Sequence, residues 1–143
     1  MSVRSVRHTL AALLVWAVLG VQAWPQSSLT AAQAVHTGLT IMSEVVVQSD
    51  SLIASRAYEQ LPQQSMQFER GLATLGQGLD VESADRRQQL RPLLAKARVA
   101  SSAMSEAAKT RNDAMLKLTH DQLAAIVKAI VQAFPPELQP SER

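Results

Sequence analysis

The residues of this 143-residue chain that could hold a metal are few: His36 and His120, with Met42, Met66, Met104 and Met115. Imidazole together with soft thioether sulfur suits copper(I). His36 and Met42 stand six apart, however, a spacing that does not set two side chains next to each other on a helix. Most of the methionines also fall at core-facing positions, where filling gaps is their ordinary role. The acids Asp80, Glu82 and Asp85 cluster at an expected helix start, where carboxylates complement the helix dipole. Nucleophilic chemistry has no foothold, with no cysteine, no HExxH, no GxSxG and no glycine-rich phosphate loop. The expectation is therefore a protein without catalytic residues, cofactor or dedicated metal ligands.

One basic cluster stands out: Arg86, Arg87, Arg91, Lys96 and Arg98. Arg87, Arg91 and Arg98 fall in one stripe at 3.6 residues per turn, and Leu90, Leu93 and Leu94 lie among them. Such a face is either a solvated helix surface or a binding surface, with Arg87, Arg91, Arg98, Leu90 and Leu94 as its client-binding candidates.

The elements that must carry these residues are helical throughout. Val35, Leu39, Met42, Val46, Ile53 and Ala57 recur at three- and four-residue steps, which predicts one long helix or two with a break near Ser49-Asp50-Ser51, ended by Pro62. A shorter segment over 63–75 should bury Met66, Leu72 and Leu75 and turn at Gly76 and Gly78. From Ser83 the chain lacks glycine. Leu90, Leu94, Ala97, Ser101, Met104, Ala108, Met115 and Leu118 then predict a helix of about 30 residues, kinked or started late by Pro92. A last helix over 120–134 presents Leu123, Ile126, Val127, Ile130, Val131 and Phe134 on one face and stops at Pro135-Pro136. The fold class is all-α, a small bundle or hairpin of three to four long helices.

Residues 1–23 read as a secretory signal: Arg4, Arg7 and His8, then the apolar run Leu10 to Val21, then Val21-Gln22-Ala23 before an expected cut at Trp24. The run is short of the roughly 20 residues needed to span a bilayer. Removing it leaves twelve basic and twelve acidic residues, so the basic pI of 9.4 does not argue for nucleic-acid or membrane-surface binding. Residues 24–134 then form one helical domain and 135–143 a polar tail. Without cysteine the domain has no disulfide, c-type haem or cysteine lipid anchor, and a periplasmic location follows.

Two short stretches share a pattern. In LTHDQ (118–122), Thr119 can act as an N-cap whose hydroxyl accepts from the Gln122 amide while the Gln122 side chain reaches back. Leu118 and Leu123 would then close a hydrophobic staple. LTAAQ (29–33) offers Leu29, Thr30 and Gln33 for the same roles. Paired LTxxQ motifs at an early and a late helix resemble the LTxxQ family of periplasmic stress proteins, which includes Spy- and CpxP-like proteins. That resemblance implies a thin helical hairpin that dimerises into a cradle and binds partially unfolded proteins without ATP. The six motif residues Leu29, Thr30, Gln33, Leu118, Thr119 and Gln122 would serve as structural corners. The partners implied are unfolded or envelope proteins and a second copy of the chain. A periplasmic heavy-metal sensor or resistance accessory, and a regulatory partner of a sensor kinase's periplasmic domain, are the alternatives.

Overall fold

The computed structural model describes residues 29–80 and 82–141; the signal expected over 1–23 lies outside them. Among the described residues there are four long helices and no strand: α1 Ala31–Ala54, α2 Leu61–Leu79, α3 Ala84–Lys109 and α4 Asp113–Gln132. Consecutive helices pack on one another and α4 closes against α1, giving an up-down-up-down bundle.

The local chemistry explains each boundary. Thr30 opens α1 with both bonds of a capping box, its Oγ1 accepting from the Gln33 amide at 3.2 Å and its own amide donating to Gln33 Oε1 at 2.9 Å. No break occurs at Ser49-Asp50-Ser51, and Ser49 is buried in the α1 core face. α1 ends not at Pro62 but at Arg56, which adopts φ 57° while its amide and that of Ala57 return to Ile53 and Leu52. This is a Schellman cap built without glycine. Pro62 instead occupies the first turn of α2, where its missing N–H has no helical partner to lose.

α2 continues through Gly76 and Gly78 to Leu79. Its buried face carries Phe68 with Leu72 and Leu75, whereas Met66 is exposed. Gly38 and Gly78 allow α1 and α2 to touch backbone to backbone. A Cβ on Gly38 would lie 2.6 Å from Leu75 N, and one on Gly78 would lie 2.6 Å from Ala31 O.

Ser83 caps α3 by accepting from the Arg86 amide at 3.3 Å, so Pro92 lies inside the helix and does not delay its start. The expected 30-residue helix is two helices. A second Schellman cap closes α3 at Arg111, φ 52°, with amide bonds from Arg111 and Asn112 to Ala108 and Ala107. Asn112 then caps α4 by accepting from the Met115 amide at 3.0 Å. Beyond α4, a turn over Pro136–Leu138 folds the tail back onto α1, and His36 Nδ1 sits 3.2 Å from the Leu138 carbonyl.

The second hairpin repeats the first at a constant offset of 55 residues. The buried pairs Val35/Leu90, Met42/Ala97, Val45/Ala100 and Ser49/Met104 relate α1 to α3 in this way. Leu61/Leu116, Phe68/Leu123, Leu72/Val127, Leu75/Ile130 and Leu79/Phe134 relate α2 to α4. Both Schellman arginines obey the same offset. So do the polar ties between hairpins: Ser65 Oγ meets Ser101 Oγ at 3.0 Å on one seam, and His120 Nε2 meets the Val46 carbonyl at 3.1 Å on the other.

Candidate functional site

The two LTxxQ stretches have different fates. The first is a helix corner in which Thr30 and Gln33 make the expected capping box, while Leu29 is exposed. The second is not: Leu118, Thr119 and Gln122 lie within α4, which begins at Asp113. Thr119 is buried, and its hydroxyl donates to the Met115 carbonyl at 2.8 Å and the Leu116 carbonyl at 3.1 Å instead of accepting from an amide. Four residues apart on a helix, Leu118 and Gln122 lie on one outward row. Leu118 and Gln122 are thus surface, Thr119 faces inward, and the cap of α4 is Asn112.

The basic cluster also divides. Leu90 faces the core and Leu94 is partly buried against it, so neither supplies apolar surface beside the arginines. Arg98 is held by Glu69 through two bonds of 3.0 and 3.3 Å. Arg86 pairs with Glu82 at 3.5 Å and lies over the Phe134 ring. Arg87 and Arg91 are exposed and in no ion pair among the described residues.

Ala95, Val99 and Ala103 of α3, each four residues from the next, form one wall of an open groove of about 580 Å³. Gln122, Ala125 and Ile126 of α4 form the other wall, with Ala100 at the base and Lys96 at the rim. Val99 is 69% exposed and Leu118, one turn before Gln122, is 51% exposed. Four of the eight lining residues are alanines, so the groove is wide because its walls are short. Apart from Lys96 and Gln122 no lining side chain has a polar atom. The groove lies on the α4 side of α3, apart from the Arg87/Arg91/Arg98 stripe, which turns toward α2 where Arg98 meets Glu69. Sequence reasoning gives no role to Ala95, Val99, Ala103 and Ala125, three of them alanines that are silent in a periodicity scan, and places Ile126 only on the apolar face of the last helix.

The two histidines are held apart. His36 meets the tail at Leu138 and His120 meets Val46, ten residues further along α1, a separation of about 15 Å along the helix. Met42 and Met104 are buried in the core, while Met66 and Met115 are exposed. Among the described residues no three His, Asp or Glu side chains converge on a point that could hold an ion, and no helix is long and apolar enough to cross a membrane.

One titration is perturbed. Tyr58 donates its hydroxyl to Asp113 Oδ1 at 2.8 Å, bridging the two Schellman corners. That bond, then desolvation and the Asp113 charge, raises the phenol above its usual value, and Arg56 and Arg111 partly oppose the shift.

Comparison with known proteins finds no protein-family model, no curated protein and no solved structure that matches this chain.

Proposed function

We propose that this chain is a non-enzymatic binding protein of the bacterial periplasm, an ATP-independent chaperone or stress adaptor that holds partially unfolded proteins. The observation that carries the reading is the α3/α4 groove, an open apolar trough in which Val99 stands exposed. A side chain such as Val99 is not left in water by packing need, because the core beneath it is already closed by Ala97, Ala100 and Met104. The groove could take apolar side chains of a client reversibly, with no nucleotide site required. The N-terminal segment and the LTAAQ corner support an exported, LTxxQ-like protein.

The test is light scattering of a chemically unfolding client at equimolar protein. The wild type should suppress scattering, and Val99→Glu should lose most of that suppression while keeping its helical circular dichroism. Absence of suppression by the wild type would remove the chaperone reading.

A further inference from the structure

The two seams between the hairpins are equivalent under the 55-residue repeat, yet they are closed differently. Across α2/α3 the Arg98 guanidinium reaches Glu69 with bonds of 3.0 and 3.3 Å. The same positions on α1/α4 are Ser43 and Ala124, which can form no such pair. They line a trough of about 410 Å³ together with Val46, Val127 and Val131, and its remaining wall includes Gln139, Pro140 and Ser141 of the C-terminal tail. Pro140 and Ser141 also border a second opening beside Ser43 and Val47, so the tail lies as a ridge along α1. Leu138 packs on the core, and Leu138, Gln139 and Pro140 are all half-buried although they belong to none of the four long helices.

Resting on the binding role proposed above, we infer that the α1/α4 trough is a second binding site, for an extended Leu-x-Pro segment, and that residues 138–141 occupy it as an internal strap which such a segment displaces. The strap shows what the site recognises. Gln139 is extended in the polyproline region, with φ −75° and ψ 152°. The Leu138 carbonyl can only accept, so His36 Nδ1 donates to it at 3.2 Å. Pro140 brings no N–H that an apolar trough would leave unpaired. Little else ties the strap down. Glu137 is in no ion pair among the described residues. Gln139 Nε2 donates to the Phe134 carbonyl at 2.7 Å, a bond within the C-terminal segment and not to the α1 surface it covers. The strap is therefore held by a leucine, a proline and one bond from an exposed histidine, helped by a local concentration on the order of mM from its short link to α4. An unfolded chain exposes segments of this kind, whereas a folded one buries their leucines.

The probe is a labelled peptide with the sequence of residues 135–141, PPELQPS, and its control carries serine in place of the leucine. None of the readouts uses aggregation, so the site stands or falls apart from the chaperone role. Fluorescence anisotropy against the full chain should show weak binding to the wild type and at least tenfold tighter binding to Leu138→Ser, whose own strap has lost its anchor. The control peptide should bind at least tenfold more weakly than the probe. Ser43→Arg with Ala124→Glu installs the ion pair of the other seam, and adding both changes to Leu138→Ser should return binding to the wild-type level or below. Val99→Glu, in the α3/α4 groove, should change none of these affinities. Equal affinity of the wild type and Leu138→Ser would overturn the strap, as would a Leu138→Ser chain that loses its helical circular dichroism, because its anchor would then belong to the core. Binding that survives Ser43→Arg with Ala124→Glu would overturn the trough as the site, and equal binding of probe and control would overturn the Leu-x-Pro recognition. A wild-type dimer that this double variant converts to a monomer would overturn an internal strap in favour of the tail of a second copy.

Discussion

Replacing glycines of the first hairpin by alanine, one at a time, should produce a graded series whose order follows from the α1/α2 contact. In a helix interior each such change gains about 1 kcal/mol of helix propensity, so any departure from that gain measures what the new methyl meets. At Gly76 it meets nothing within 4 Å, and Gly76→Ala should stabilise by about 1 kcal/mol, raising Tm by about 4 °C or more. At Gly71 it lies 3.0 Å from Met42 Cγ and 3.1 Å from Ile41 Cγ2. Methionine can re-pack, so the strain should roughly cancel the gain. At Gly38 it would lie 2.6 Å from Leu75 N and 2.8 Å from Leu75 Cα and Cβ, and the obstacle is backbone that cannot rotate away. Overpacking of this kind costs about 1–3 kcal/mol, and separating the helices loosens Leu39, Leu72 and Leu75 as well. Gly38→Ala should therefore lose about 1–2 kcal/mol net of propensity. Gly78→Ala should behave similarly, because its methyl would sit 2.6 Å from Ala31 O and 2.9 Å from Val35 N. Urea titration followed by far-ultraviolet circular dichroism reads the series. Gly38→Ala as stable as Gly76→Ala would refute the backbone contact between α1 and α2.

Three further outcomes are expected from the caps and corners. Thr30→Ala should cost about 1 kcal/mol in urea denaturation, whereas Gln122→Ala, which removes no cap, should stay within about 0.5 kcal/mol; the reverse order would restore a corner at Thr119. Arg56→Gly and Arg111→Gly should each stabilise by up to about 1 kcal/mol, since a side chain at positive φ carries a penalty that glycine lacks. Tyr58 is the chain's single tyrosine, so its ionisation can be followed by phenolate absorbance. Its midpoint should lie above 10.0 and fall in Asp113→Asn. Because the folded state holds the proton more tightly than the unfolded one, this contribution is complete below pH 10.0 and is lost as pH rises through the folded-state midpoint. A wild-type midpoint at 10.0 would refute the bond to Asp113.

The periodicity of apolar residues revealed the helical class and most of the core, yet it misplaced the corners, for a physical reason. Glycine and proline were read as punctuation. Here the corner within each hairpin is turned by arginine in the left-handed region, Ser55-Arg56-Ala57 and Thr110-Arg111-Asn112. Pro62, Gly76 and Gly78 lie within α2, where Pro62 starts it, Gly78 lets it approach α1 and Gly76 faces open space. Across the hidden corner at Arg111 the apolar steps from Met104 and Ala108 to Met115 and Leu118 continued by coincidence of spacing. One helix was therefore read where there are two, and exposed Met115 and Leu118 were assigned to a core face. At Ser49 the sequence leaves one long helix or a break open, and α1 runs straight through and buries the serine, its hydroxyl without a partner among the described residues. The repeat was hidden because it is conserved in burial and not in letters: Ser49 pairs with Met104, Phe68 with Leu123, and Tyr58 with Asp113.

That divergence between equivalent positions also accounts for the two LTxxQ stretches. A Leu-Thr-x-x-Gln spacing has two physical meanings. When Thr sits outside the first turn, Thr and Gln exchange bonds with backbone amides and make a corner, as at Thr30 and Gln33. When the helix has already begun, the same amides are taken by the preceding turn, and the hydroxyl can only turn back to a carbonyl, as Thr119 does to Met115. Leucine and glutamine, four apart, then share a face. In α4 that face is open to solvent, and its counterpart on α2 carries Gln63 and Gln67. The offset thus sets Leu118 against Gln63 on one surface row, where neither starts a helix.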